Sequence, residues 1–275
     1  MKASIKFKEI TAKLIEKIKK EKTKQWFVPW NNSLPNNFIT GRNYTGINIL
    51  ILWDVAENRG YSTNQWLTFN QIKSINAAVK KGEKATKIFF FKPMKIEEKE
   101  RGVTITKTIP LLKTYNVFNV EQTTIKIAKK RNKKIPDIEK FIANTGAVIK
   151  LDHDAYYHAR YDYIGIPNIN KFLSKEHYYS TLLHELAHWT GHPSRLDRDQ
   201  SGGFGSKKYA FEELVAETAS CFLNAQFQID WQQMQHAEYL QSWLKAIEDD
   251  PKVLLKAASH AQKIVDFLNS LQNRL

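Results

Sequence analysis

Residues 178–198 read YYSTLLHELAHWTGHPSRLDR, and the run His184-Glu185-Leu186-Ala187-His188 within them decides the fold. Two histidines four apart share one face of a helix, about one turn from each other, so both imidazoles can reach a single ion. Glu185 is rotated from His184 by about 100°, which lets it address a water at the ion rather than the ion itself. Leu182, Leu183, Leu186 and Ala187 surround the run, Ser174 is a candidate N-cap, and Gly191 follows the last helical residue as a C′ glycine would. The spacing therefore predicts a largely buried helix with zinc-dependent hydrolytic chemistry. The competing reading is a buried helix whose histidines are satisfied by ordinary hydrogen bonds.

A second segment favours the metal. Residues 209–226 carry Phe211, Leu214, Val215, Thr218, Ala219, Phe222 and Leu223 at helical spacing. Glu213 and Glu217, four apart, share a face, and Glu212 is expected to point elsewhere. Catalytic zinc commonly takes two His and one Glu, and a ligating His passes its other N–H to a carboxylate. Glu213 is accordingly assigned as third ligand and Glu217 as the acceptor behind a histidine. The pattern resembles that of the gluzincin metallopeptidases, with their E-x-x-x-D/E second helix. Glu217 stands where Asp is commoner, so the two roles are exchangeable. A metzincin would need a histidine at position 194, which is Ser194. His192 is left as a substrate contact, a transition-state donor or a surface residue.

Charge divides the chain. Residues 1–150 hold 30 Lys and Arg against 12 Asp and Glu, a net of +18; the remaining residues hold 12 against 16, a net of −4, reproducing the total of +14. Such asymmetry suggests a polyanion-binding module joined to something else. The expected division is a domain at 1–125, a basic linker at 126–136 (KIAKKRNKKIP) and a second domain at 137–275, each burying its own core. The single cysteine, Cys221, allows no intrachain disulfide and reads as a small core residue. No apolar run approaches a membrane span, and the basic amino terminus lacks the pattern of a signal peptide, so no membrane partner and a cytoplasmic location are expected.

The basic half reads as α+β. Helices are expected at 3–22, 45–58 and 69–77. Strands are expected at 86–91, and at 104–110 and 111–120 as a pair. Aromatics are interleaved with the basic residues: Trp26, Trp30, Tyr44, Trp66, Phe89, Phe91, Tyr115 and Phe118. Stacking platforms in a positive groove suit single-stranded nucleic acid, and no compact recognition helix for duplex DNA stands out. More than half of these aromatics are expected in the core. Trp26, Trp30 and Tyr44, in loop-like sequence, are the stacking candidates. Arg42, Asn43, Lys80, Lys81 and Lys84 are the other DNA-contact candidates.

The chain resembles the ArdC-type antirestriction proteins of conjugative plasmids in nearly its whole length. The resemblance lies in FVPWNN (27–32), TGRNYTGINILILW (40–53), WLTFNQI (66–72), VKKGEKATKIFFFK (79–92) and YNVFNVEQT (115–123). It continues in YDYIGIP (161–167), in the HELAH segment and in YAFEELVAETAS (209–220). It implies an α+β protein of two domains, a basic single-stranded-DNA-binding domain and a zincin-like, gluzincin-type metallopeptidase domain. It also implies a role in protecting incoming DNA from restriction. The zincin resemblance makes residues 161–167 the edge strand that pairs with substrate. His192, Tyr161 and Tyr209 are candidate oxyanion donors. Three readings follow: a DNA-tethered peptidase acting on a host restriction protein or another DNA-bound protein, a strand-shielding protein with an inactive zincin scaffold, and an accessory factor of plasmid priming.

Overall fold

The computed structural model describes residues 9–10, 12–13, 16, 33–100, 103–126, 137–203, 205–229 and 252–273, with side chains described outside 91–111. Most of the expected helix at 3–22, nearly all of the linker, Trp26 and Trp30 lie outside the described residues.

The first sheet has the order β1-β2-β4-β3. Its strands are β1 (Asn36–Asn37), β2 (Gln65–Thr68), β3 (Thr86–Glu100) and β4 (Val103–Asn119). The segments expected as a pair, 104–110 and 111–120, form the single strand β4, and its antiparallel partner is β3. Pro110 does not break the strand because it faces Pro93. In an antiparallel ladder, residues of non-hydrogen-bonded pairs turn their N–H groups away from the partner, so a proline costs no ladder bond there. Phe89 shows this phase: its N–H turns outward to Asn48 Oδ1 at 2.8 Å, and its carbonyl accepts from Asn48 Nδ2 at 2.7 Å. Pro93 lies an even number of residues further along the same strand, in the same phase.

Helix α1 (Ile47–Asn58) is apolar nearly all round, as expected of a helix buried on two sides. Leu52 and Ala56 pack on Trp66, Ile88 and Val117 of the first sheet. Ile47, Ile49, Leu50, Ile51 and Trp53 instead join the core of the second half, and Trp53 meets Phe222 edge to face at 5.9 Å. Gly46, in a left-handed conformation, precedes α1, and its N–H donates to Gln262 Oε1 at 3.1 Å. The halves do not keep wholly separate cores: the first half has small clusters of its own around Trp66 and Leu67, but the large core of the second half also takes in one face of α1, because α1 has two apolar faces and only one is covered by its own sheet. Helix α2 (Phe69–Ser74) follows β2 through a capping box of Thr68 and Gln71.

In the second half, α3 (Ile138–Ala143) leads to a sheet of order β5-β7-β6. These strands are β5 (Val148–Leu151), β6 (Tyr156–His158) and β7 (Tyr163–Ile166). The 161–167 segment was expected at the edge. It supplies β7, the central strand, since Ile164 and Ile166 are buried and both neighbours pair with it. The edge beside the cleft is β6. Helix α4 (Lys175–Trp189) packs on β6 and β7, α5 (Lys207–Phe227) packs on α4, and α6 (Lys252–Ser270) packs on α5. Ser174 caps α4 by accepting from the His177 N–H at 3.1 Å, and Ser206 caps α5 through Tyr209. Gly191 is not left-handed. It lies close under the side-chain ends of Gln200 and Arg198, which would have to shift to admit a Cβ. Cys221 is buried in the core. Among the described residues, no helix is long and apolar enough to cross a membrane.

Candidate metal centre and nucleic-acid interface

Helices α4 and α5 bring the two motifs together. His184 Nε2 and His188 Nε2 are 3.2 Å apart. Glu213 Oε2 lies 3.5 Å from the first nitrogen, and its Oε1 lies 3.4 Å from the second. Bonds of about 2.0–2.1 Å around a tetrahedral ion give donor–donor edges of about 3.3–3.4 Å, so the triangle fits such an ion. His184, His188 and Glu213 are the cluster that could hold a metal among the described residues.

Each imidazole meets a second carboxylate with its other nitrogen. Glu217 Oε2 lies 3.2 Å from His184 Nδ1, and Glu212 Oε1 lies 3.2 Å from His188 Nδ1. An ionised carboxylate only accepts, so in the neutral, ion-binding form of each imidazole these carboxylates favour the proton on Nδ1 and leave the Nε2 lone pair facing the triangle. Glu212 thus does not point elsewhere, as its helical offset from Glu213 suggested. His188 sits a turn beyond His184 on α4, and its outer nitrogen reaches a different face of α5. The signal for this was in the sequence: a glutamate among Tyr209, Ala210 and Phe211, flanking the ligand candidate, needs a partner if buried.

The electrostatics follow from this crowding in the metal-free protein. Burial works against charge on His184, but contacts with Glu213 and Glu217 outweigh it and raise the imidazole well above its ordinary range. His188 is likewise penalised by burial, yet Glu212 and Glu213 raise it to about 9. Burial would raise Glu212, but His188 and Arg198 bring it down to about 2. Glu213, also opposed by burial, is held well below the carboxylate range by the two histidines.

A cleft of about 370 Å³ opens onto this cluster, lined by Glu185, Thr181, Tyr156, Tyr157, Gln200 and Tyr209 among others. Tyr209 is the member of the expected oxyanion trio that lines it. His192 is tied into a turn through Ser194, at 2.8 Å from its hydroxyl. Tyr161 is 66 % exposed and leans on the ring of His158. Tyr156 was not anticipated: its hydroxyl donates to Asp152 at 2.6 Å, and its ring lies against Gly165, where a Cβ would come within 2.7 Å.

On the basic half, Arg42, Asn43, Lys81 and Lys84 are exposed. Lys80 is exposed but its ammonium donates to the Glu121 carbonyl at 2.8 Å. Tyr44 is half-buried and packs one side against the small core of the first sheet. Trp66 and Phe89 are core residues. Phe90 and Tyr115, 44 % and 47 % exposed, form an edge-to-face pair with ring centroids 5.2 Å apart. Lys113 stands directly opposite Phe90 in the ladder. Phe90 was missed because it sits in an unbroken apolar run where alternation cannot be read.

Two family models match the chain: the N-terminal domain of anti-restriction factor ArdC over residues 6–118, and a zincin-like metallopeptidase over residues 136–260. The crystal structure of the antirestriction ArdC protein from plasmid R388, metal-free, superposes with a TM-score of 0.79 at 38 % identity, over 96 % of each chain. The chain belongs to the ArdC family of antirestriction proteins. The Mn(II)-bound structure of the same R388 protein matches at TM-score 0.79 and 36 % identity, over 98 % of each chain. Among curated proteins, a DNA primase TraC of Escherichia coli is 36 % identical over 292 residues, 97 % of this chain. The uncharacterized protein y4eC of Sinorhizobium fredii is 30 % identical over 286 residues, covering 97 % of this chain and 92 % of that protein. The chain spans only 27 % of the length of that primase and 20 % of a second TraC primase from Escherichia coli. The family membership agrees with the two-domain α+β architecture: an ArdC N-terminal domain followed by a zincin-like domain.

Proposed function

We propose that this protein acts in antirestriction by joining a single-stranded-DNA-binding module to a metal-dependent peptidase. The observation that carries the hydrolytic reading is the triangle of His184, His188 and Glu213 with Glu185 in the same cleft. Two imidazoles and one carboxylate suit a borderline divalent ion, zinc first, and the existence of a Mn(II)-bound structure of the R388 protein supports divalent-metal binding in the family. Such an ion supplies Lewis acidity that polarises a peptide carbonyl and makes a water more acidic.

This chain's residues do the rest. Glu217 and Glu212 keep the two Nδ1 protons in place. The Glu185 carboxylate takes a proton from the attacking water and delivers it to the leaving amine nitrogen. Tyr209, at the cleft wall, is the candidate donor to the oxygen that gains charge. Among the described residues β6 pairs only on its β7 side, and an extended peptide laid along its other edge would gain main-chain hydrogen bonds. The substrate class is a restriction protein or another protein held on DNA, brought close by the basic half. A net of +18 over residues 1–150 and the exposed Phe90–Tyr115 pair support the DNA-binding reading.

The primase relatives favour a second reading, an accessory factor of plasmid priming. One set of measurements separates the two. Metal content and peptidase activity are determined with and without single-stranded DNA for wild type and Glu185→Gln, beside protection of unmodified plasmid DNA during transfer. Protection by the wild type supports antirestriction, and no protection favours priming. Loss of protection in Glu185→Gln with DNA binding retained assigns the role to the cleft. Full protection by that variant assigns it to DNA binding and makes proteolysis dispensable. A wild-type chain that binds no divalent ion overturns the peptidase reading.

A further inference from the structure

Arg198 lies in the segment between α4 and α5 and was given no role by its sequence. It grips both oxygens of Glu212: Nε lies 3.1 Å from Oε2 and Nη2 lies 2.7 Å from Oε1. Its other bonds go to the end of α4, from Nη1 to Thr190 Oγ1 at 2.7 Å and from Nη2 to the Ala187 carbonyl at 2.7 Å. Gln200 from the same segment donates to Glu212 Oε1 at 3.0 Å and to the His188 carbonyl at 2.7 Å. The side chains of Arg198 and Glu212 are only 6 % and 9 % exposed.

We propose that Glu212 and Arg198 are positioning residues of the metal centre, which orient His188 and set its affinity for the ion. The proposal rests on the reading of the donor triangle as a metal site. Three carboxylates, Glu212, Glu213 and Glu217, are buried around two histidines. The forked guanidinium balances the one that bonds His188 Nδ1, and fixes its plane through two parallel bonds. Glu212 therefore stays ionised, accepts the Nδ1 proton and keeps Nε2 free to bind. A neutral amide in its place could offer its N–H₂ to Nδ1 instead, which would select the wrong tautomer. Gly191 leaves room for this assembly, since a Cβ there would approach Arg198 Nη2 to 3.0 Å.

A purely structural tie between the segment and α4 would make the same hydrogen bonds, so the test must read the ion. Dissociation constants for Zn(II), from chelator competition on the full chain, are compared for wild type, Glu212→Gln, Arg198→Lys and Thr190→Val. The absorption spectrum of the Co(II)-loaded proteins reports the ligand field at His188. Glu212→Gln is expected to weaken Zn(II) binding by about 10–100-fold and to shift the Co(II) bands. Arg198→Lys, which keeps charge but loses the fork, is expected to have a smaller effect in the same direction. Thr190→Val removes one of Arg198's bonds to α4 but leaves its fork on Glu212, and should change both readouts less than Glu212→Gln does. Wild-type affinity and spectrum in a folded Glu212→Gln protein overturn the proposal. Should that variant not fold, wild-type values in Arg198→Lys do the same. A wild-type chain that binds no Zn(II) overturns the proposal together with the reading beneath it.

Discussion

The two halves of this chain handle charge in opposite ways. In the second half, Glu212, Glu213 and Glu217 are buried, and each faces a histidine at 3.2–3.5 Å. In the first half, Arg42, Lys81 and Lys84 are exposed. A buried carboxylate needs a partner at a fixed position, because desolvating it alone is costly. A surface lysine that meets phosphate needs only the right sign and an approximate place. On the proposed reading, the first arrangement serves chemistry at one point and the second adhesion along a strand. The comparison would suggest two independent modules, yet α1 carries apolar side chains from the first half into the core of the second.

That shared core yields the largest expected effect. Trp53 is buried, meets Phe222 across the boundary and donates its indole N–H to the Ser33 carbonyl at 3.1 Å. Trp53→Ala should cost about 3–5 kcal/mol and lower the stability of both halves together, as one thermal transition followed by calorimetry. Two separate transitions, with the metal-binding one unmoved, would show that the halves fold independently. A fragment of residues 1–130 would expose Ile47, Ile49 and Trp53 to water, so DNA-binding assays are better made on the full chain.

Next in size is Glu185→Gln. The variant keeps His184, His188 and Glu213, so it should retain about one equivalent of divalent metal while peptidase turnover falls by about 10²–10⁴-fold. His188→Ala should lose the metal outright, read by elemental analysis. Unchanged metal content in His188→Ala would refute the ligand set.

How far the sequence disclosed this molecule follows the same contrast. The helices of the two motifs, the Ser174 cap and the convergence of His184, His188 and Glu213 were legible, because helical periodicity maps spacing onto a face. Glu212 was not: which carboxylate serves His188 depends on how α4 crosses α5, a tertiary fact. The edge strand was misplaced for a similar reason, since pairing order in a sheet is not written in any one strand. The long β4 was split at Pro110 because the phase of its ladder, which leaves that N–H position unused, is invisible locally. Neither the packing of Tyr44 nor the exposure of Phe90 was legible, since burial depends on what another element covers.

The buried cluster also predicts how the metal-free protein responds to pH. His188, raised to about 9 by Glu212 and Glu213 against its burial, stabilises the fold fully below its unfolded value of about 6.5. That contribution, at most ~3 kcal/mol, is lost as pH rises through about 9. Glu212, lowered to about 2, contributes stability present above its unfolded value near 4.5 and lost as pH falls toward 2. The metal-free chain should therefore be most stable between roughly pH 4.5 and 6.5. Ion binding requires neutral imidazoles, so affinity should rise over the alkaline range in which metal-free stability falls. Thermal midpoints at pH 6 and 9, with chelator and with Zn(II), check this. An equal midpoint for the chelated protein at both values would remove the assigned coupling.

The smallest effects belong to the basic surface, and they test whether its charge works as proposed. Phe90→Ala or Tyr115→Ala should lower affinity for single-stranded DNA by ~1–3 kcal/mol per stacked base, with the salt dependence unchanged. Both rings are nearly half exposed, so folding should survive. The paired change Lys81→Ala and Lys84→Ala removes two exposed ammonium groups, and surface changes of this kind shift stability by only about ±0.5 kcal/mol. For every phosphate left without its ammonium partner, the slope of log affinity against log salt should flatten by about 0.7, with little preference for sequence. Fluorescence anisotropy over a salt series measures both quantities on one protein. The aromatic changes should move the line down without tilting it, and the lysine changes should tilt it. An untilted line for the lysine pair would mean that the strand follows another face of the basic half, and Arg42 with Lys113 would be the next pair to remove.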